Sequence, residues 1–397
     1  MSKFPILVIL AAAFATSIRA AQPMKPVTVD QLAQILAHAR GEKDAKIAKE
    51  LSRLYLTERV SADRLAQWRT EFPGKRTRQT LIELADASAF LKLPASDLPH
   101  RPRPDLDAIR LMLNQSVAYV NKTIHGLPDF YALRTTTYFE DTSALFEDRL
   151  LFCTIPSLRS YCLSQARQAA MASANDSTPL LVAGKSTATV AYVDGKELDN
   201  GSSSVKAPIT NPRAGLVTSG EFGPILIVVL GDALQGQLYW GHWEQSADGT
   251  MAVFEYKVPA AESHYVVTLP SASRQESIKP AYHGEISIDP VTGAIHRITV
   301  IADPAPPHDN MGTSMMVQYG PVVIGGKTYI CPIRGVALSK TQVNLTLPGR
   351  REQQTGYITR LNDVTFTRYH LFRAEMKILP ESGFHSQAHV SAGSSAR

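Results

Sequence analysis

Tyr282-His283-Gly284-Glu285-Ile286-Ser287-Ile288, then Asp289-Pro290-Val291-Thr292-Gly293, then Ala294-Ile295-His296-Arg297-Ile298-Thr299-Val300-Ile301: this run reads as a strand, a tight turn and a returning strand. The flanks are rich in β-branched and aromatic side chains, which fit a pleated, half-buried surface. The five residues between them supply turn chemistry: Asp can bond the backbone ahead of it, Pro presets φ, and Gly accepts a left-handed conformation. A return through so short a connection pairs the strands antiparallel, because a parallel partner needs a crossover of a dozen residues or more.

The same pattern repeats in both directions. Residues 187–193, Asp194-Gly195 and 196–198 form one predicted hairpin; 314–323, Gly325-Gly326 and 328–339 form another. Strands are expected at 238–244, 251–258 and 264–269, and 363–378 closes the series. After Gly126, Tyr131, Leu133, Thr135 and Thr137 alternate with Ala132, Arg134 and Thr136, the period of two of a half-buried strand. Helices do not alternate with these strands, so the sheet is expected to be a largely sequential antiparallel meander.

The residues before the sheet have a helical period. Thr28 and Gln31 have capping-box spacing ahead of Val29, Leu32 and Leu36. Ile47, Leu51 and Leu54 repeat the spacing after Gly41, Ser61 stands where it can cap a helix carrying Leu65 and Trp68, and Leu81, Leu84, Ala85 and Ala89 mark a fourth helix. The four prolines of 94–104 make an extended linker, and 106–124 carries the longest apolar stripe, Leu106, Ile109, Leu113, Val117, Val120 and Ile124. A further helix is expected from Gly223-Pro224, with 225–230 buried in it; 158–174 also has helical composition. The expected fold class is α+β: an N-terminal helical region, then a curved antiparallel β-sheet, an incomplete barrel, packed on a long helix. The divisions are a signal peptide at 1–21, a helical region at 26–94, a Pro-rich linker at 95–104, an antiparallel β domain at 105–380 that includes the helix at 105–125, and a disordered tail at 381–397.

The signal peptide rests on Lys3, an apolar stretch at 6–15 too short to span a bilayer, and small residues around Ala20 and Ala21. It implies export to the periplasm or the extracellular space, with no transmembrane segment once the signal is removed. The 397 residues carry 44% apolar and 19% charged side chains, a globular composition. The net charge of +5 is too small and too scattered for a nucleic-acid surface. Export permits a disulfide. Cys153 and Cys162, close in sequence with Pro156 between them, are the expected pair; Cys331, in a strand, is expected to be a buried thiol.

The motifs of catalysis are weak. Gly184-Lys185-Ser186 resembles the end of a phosphate loop, but Pro179 stands where that loop needs its first glycine, so a turn before a strand is expected. Ser203 and Lys206 have the spacing of an acyl-transfer pair but lie in a Gly-Ser loop. His242 with Glu244, and His283 with Glu285, share strand faces and read as cross-strand polar pairs on a wetted sheet face rather than metal ligands. No catalytic residue, metal site or cofactor is assigned. The aromatics carry the binding expectation. Tyr239 and Trp243 are placed on one face of their strand and Trp240 on the other, while Phe254 and Tyr256 share a face. With Leu113 and Val117 of the long helix, they are expected either to line an apolar ligand surface or to form core against that helix.

Several runs resemble a set of uncharacterised exported acidobacterial proteins: Asp30-Gln31-Leu32, Arg64-Leu65-Ala66-Gln67-Trp68, Leu127-Pro128-Asp129-Phe130-Tyr131, Ser219-Gly220-Glu221-Phe222-Gly223-Pro224 and Gly325-Gly326-Lys327-Thr328-Tyr329-Ile330-Cys331-Pro332 among them. The resemblance covers most of the mature chain and implies no activity; residues 150–176 depart from it, so it adds nothing to the disulfide. The meander with its Asp289–Gly293 turn is also similar to the half-barrel of periplasmic lipoprotein carriers, in which a curved sheet wraps helices around an apolar cavity. That resemblance implies a lipid-like or lipoprotein ligand. The expected function is therefore non-catalytic binding in the cell envelope; the alternatives are an envelope protein-interaction module and an exported hydrolase without a recognisable motif.

The cysteine reading is checked by thiol counting. Labelling of the exported protein, denatured but not reduced, is expected to find one thiol, at Cys331; a labelled Cys153 removes the pairing.

Overall fold

The computed structural model describes residues 24–141, 180–199, 221–246, 249–270, 275–306, 311–346 and 353–372. The signal peptide, the Cys153–Cys162 pair, Ser203 with Lys206, the helical stretch at 158–174 and the tail at 381–397 lie outside these residues.

The helical region holds α1 (Val29–His38), α2 (Asp44–Leu51), α3 (Ala62–Glu71) and α4 (Lys75–Ala87). The capping box forms as its spacing requires: Thr28 Oγ1 accepts from Gln31 N at 3.2 Å, and Gln31 Oε1 accepts from Thr28 N at 3.0 Å. Ser61 departs from expectation. It stands at the N-cap of α3 but donates its hydroxyl to Asp97 at 2.9 Å. Leu54 also departs from it. It belongs to β2 (Leu54–Leu56), which pairs parallel with β1 (Lys25–Val27), so the third residue of the helical spacing at Ile47 and Leu51 falls on a strand.

The basic start of α4 shows how the four helices hold together. Lys75, Arg76 and Arg78 at a helix N-terminus oppose the helix dipole, and Gly74 at the cap has no side chain to offer. Asp44, from the start of α2, supplies the missing acceptor. Its carboxylate takes Thr77 N at 2.8 Å, Thr77 Oγ1 at 2.7 Å and Arg76 N at 3.1 Å. A Cβ on Gly74 would lie 2.3 Å from Asp44 Oδ1, so glycine is what lets the borrowed cap approach. These bonds hold the Asp44 carboxyl below its usual range. Val29, Leu32, Leu51, Trp68 and Leu81 form the core beneath.

After the linker comes α5 (Leu106–Gly126), capped by Asp105, which accepts from Ala108 N at 2.8 Å. The main sheet is β3 (Phe130–Asp141), β4 (Leu180–Val193), β5 (Lys196–Asp199), β6 (Gln237–Ser246), β7 (Gly249–Val258), β10 (Ala281–Ile288), β11 (Ile295–Asp303), β12 (Gly312–Ile324), β13 (Lys327–Thr346) and β14 (Gln353–Leu371). Helix α6 (Pro224–Gln235) precedes β6. The strands lie in the order β5-β4-β3-β14-β13-β12-β11-β10-β7-β6, all antiparallel. Sequential pairing runs from β6 to β14; β14 then takes β3, which brings in the β3–β4–β5 meander. The sheet is open, with β5 and β6 at its edges.

Two strand expectations change. The segment at 264–269 gives only β8 (Val267–Pro270), which pairs with β9 (Gln275–Ile278) in a separate two-stranded sheet. Gly184-Lys185-Ser186 is inside β4 rather than in a turn before it, and Gly184 faces Tyr138 at a register shift.

The sheet is covered on both faces. On one, α5 and α6 bury Met112, Val120, Ile225 and Val229 against Phe254, Tyr256, Ile286, Ile298, Val300 and Val317. On the other, Ala89 and Phe90 from the end of the helical region pack on Phe139, Met316, Val336 and Leu361. The stripe of α5 is rotated from its expected position: Leu106 is exposed, and the buried line runs through Met112, Ser116 and Val120.

The turn between β10 and β11 seats α5. Asp289 Oδ1 accepts from Val291 N at 2.8 Å and Oδ2 from Thr292 Oγ1 at 2.8 Å, which fixes the turn. Gly293 follows with φ +74°, and a Cβ there would lie 2.4 Å from the Gln115 carbonyl carbon of α5. Both the left-handed φ and the backbone contact require glycine. Gly293→Ala is therefore expected to destabilise the protein by about 2 kcal/mol or more, read as a lowered urea midpoint. Gly326→Ala, at a left-handed residue with open space around it, should cost less.

Candidate functional site

Of the polar residues that sequence places on a wetted face, Glu244 and Glu285 are instead shut between the sheet and the helical region. Arg59, which follows β2, reaches Glu244 of β6 with both arms: Nη1 donates to Oε1 at 2.8 Å and Nη2 to Oε2 at 2.9 Å. Arg297 of β11 donates to the same Glu244 Oε2 at 2.6 Å and to Glu285 Oε2 of β10 at 3.1 Å. Side-chain exposure is 8% for both arginines, 12% for Glu244 and 17% for Glu285. Burial by itself would raise the Glu244 carboxyl, but Arg297 and Arg59 override it and hold it well below the usual range. This reading corrects the surface assignment of Glu244 and Glu285. Nothing in the period of β6 or β10 marks them as buried, because the arginine that covers Glu244 is 185 positions away in the chain.

A bulge in β6 sets which side chains reach this layer. Trp240 pairs with Phe254 and His242 with Val253, so Gly241 is left over and the alternation slips by one. Trp240 and Trp243 therefore share a face, rings edge to face at 4.9 Å, and Tyr239 goes to the other. The expected grouping of Tyr239 with Trp243 is overturned. Tyr239 is 40% exposed beside Glu255 on the polar face. Trp243, Phe254 and Tyr256 are buried in the core under α5 and α6, with Leu113, Val117 and Trp240 partly buried around them. Trp243 also fastens the linker: its Nε1 donates to Pro102 O at 2.8 Å, and Arg101 lies 4.4 Å from its ring centroid. Tyr256 crosses the next strand and donates to Thr299 O at 2.7 Å. It passes over Gly284, where a Cβ would sit 2.9 Å from the hydroxyl.

His242 and Glu255 lie beside this network. His242 Nε2 is shielded from solvent without a hydrogen-bond partner, and Glu244 Oε2 stands 3.7 Å off. Glu255 directly opposes Glu285 across the β7–β10 ladder. Among the described residues, His242, Glu255 and Glu285 bring one ligand atom each within 4.8 Å of one another.

Two Asp–His pairs occupy the far end of these strands. Asp232 of α6, buried, accepts from His264 N at 2.8 Å, Tyr282 Oη at 2.8 Å and the His264 ring Nδ1 at 2.7 Å. An imidazole oriented by a buried carboxylate is half of a base–nucleophile device. Among the described residues no hydrogen bond joins His264 to a hydroxyl or thiol, so the arrangement anchors α6 to the sheet. His283 pairs with Asp303 at 2.6 Å on a surface cleft rather than acting with Glu285. Cys331 is buried, and burial pushes its thiol up to about 12, which removes it as a nucleophile.

The chain matches no protein-family model, no curated protein and no solved structure.

A second polar contact docks the helical region. Arg334 of β13 bonds Asp86 of α4 and, at 3.1 Å, Asp363 of β14. Burial raises Asp86 to about 8, against the pull of Arg334 and with the help of Asp363; burial and Asp86 raise Glu83 to about 8. The folded protein thus holds protons that the unfolded chain releases near pH 4. Their contribution to stability is complete below that pH and is lost as pH rises through about 8. Glu244 has the opposite sign: its contribution is present above its unfolded value and is lost in acid. The urea midpoint is expected to fall between pH 6 and pH 9, and Asp86→Asn should flatten that fall. An unchanged slope in the variant would show that Asp86 does not carry it.

Proposed function

We propose that this chain is a non-catalytic binding protein of the cell envelope, whose sheet, as an incomplete barrel, holds a lipid-like or lipoprotein ligand beside α5. One observation carries this reading. Ile109, Leu113 and Val117 of α5, with Leu238 and Trp240 of the edge strand β6, pack on the aromatic core yet keep part of their surface open. Ile227 and Leu234 on α6 are exposed on the same largely apolar helix. An apolar margin along an open sheet edge suits an acyl chain. Phe254 and Tyr256 are closed inside the core and would support that margin from below. Export and the carrier likeness belong to the same proposal. In the interaction-module alternative, the side of the helical region that carries Arg59 and Asp86 is already taken by the sheet.

The test is native mass spectrometry of the protein before and after delipidation, with binding of an environment-sensitive apolar dye by the cooperatively folded protein. A lipid-sized adduct and dye binding are expected. Val117→Trp should reduce dye binding about tenfold while costing at most about 1–3 kcal/mol of stability. Absence of both adduct and dye binding would overturn the reading.

A further inference from the structure

We propose that His242, Glu255 and Glu285 form a binding site for one divalent transition-metal cation, zinc(II) being the best fit to one imidazole and two carboxylates. The inference is independent of the ligand reading above. Its first support is the like-charge pair. Glu255 and Glu285 stand directly opposite on neighbouring strands, an arrangement that repels unless a cation lies between them. Arg297 and Arg59 offset the charge of Glu285 from its Oε2 side, at 3.1 and 3.8 Å, whereas among the described residues Glu255 has only Lys92, whose Nζ is 3.9 Å from Oε1 and whose side chain is 86% exposed. The second support is His242. Its Nε2 is shielded from water, and its nearest partner, Glu244 Oε2, stands at 3.7 Å, too far for a hydrogen bond, which costs free energy that a metal bond would offset.

The third support is the local backbone. The bulge at Gly241 aims His242 to the carboxylate side of the sheet. The same glycine leaves room for Glu255, whose Cγ would lie 3.3 Å from a Cβ at that position. Glu255 thus lies across β6 beside His242. Arg297 and Arg59 both address Oε2 of Glu285, which orients that carboxylate and leaves Oε1 for another partner, as outer-shell groups do for metal ligands. The three ligand atoms lie within 4.8 Å of one another, and ligand atoms around tetrahedral zinc are separated by roughly 3.4 Å.

The experiment uses the full chain stripped with chelator. Zinc(II) is titrated calorimetrically, and cobalt(II) is added separately to read its visible absorption. One equivalent of zinc(II) is expected to bind, with a raised melting temperature, and cobalt(II) should show the intense bands of a four-coordinate site. His242→Ala and Glu255→Gln should each lose the tight equivalent, while His283→Ala, outside the trio, should keep it. Circular dichroism establishes that each variant is folded. Absence of a tight equivalent in the unsubstituted protein overturns the proposal, whatever the variants do. So does a tight equivalent that survives both His242→Ala and Glu255→Gln, or one lost in His283→Ala.

Discussion

The two-armed bond between Arg59 and Glu244 is the contact on which the layering depends. An antiparallel sheet with one wet face needs cover on one side only. Here the second face carries Glu244, Glu285 and Arg297 toward its β6 edge, and the helical region closes over them with an arginine of its own. Burying such charges gains little net stability, because lost hydration offsets most of the attraction. Its effect is on geometry: only one placement of the helical region gives Glu244 both arms of Arg59. Removing one partner would strand a buried charge, at about 3–5 kcal/mol. Arg334, between Asp86 and Asp363, fixes the same placement at a second point, and the apolar contact of Ala89 and Phe90 on Met316 and Leu361 adds burial around it.

On the opposite face, glycines set the distances. Gly293 lets a turn touch the backbone of α5, Gly284 lets the Tyr256 hydroxyl cross a strand, and Gly241 shifts the alternation of β6. The last has the widest consequence. It sets Trp240 edge to face against Trp243 beneath α5 and, on the reverse face, brings His242 next to Glu255. One extra residue in an edge strand thereby shapes the aromatic core and the polar cluster together.

The polar layer and the apolar margin make different demands. Glu244 is held ionised by two arginines, whereas Asp86 and Glu83 are driven toward the neutral form. The interface between helices and sheet therefore carries acids of opposite tendency. Its stability has an upper and a lower pH boundary, each set by a different docking point.

The sequence by itself determined the local elements: the capping box at Thr28, the length of α5, the start of α6 at Gly223-Pro224 (though not the exposure of Ile227), the hairpins at Asp194-Gly195 and Gly325-Gly326, and the antiparallel character of the sheet. These depend on periodicity and turn chemistry, which act over a few residues. The positions of Tyr239 and Trp243 were not legible, because counting by twos fails at a bulge and Gly241 looks like any glycine in a strand. The parallel pairing of β1 with β2, the union of β14 with β3, and the burial of Glu244 under Arg59 were decided only by tertiary structure. Each joins segments far apart in the chain, where no local pattern names the partner. The candidate site shares that origin. Its histidine and glutamates were visible as residues, but their meeting beneath the helical region required the bulge, the strand order and the docking together.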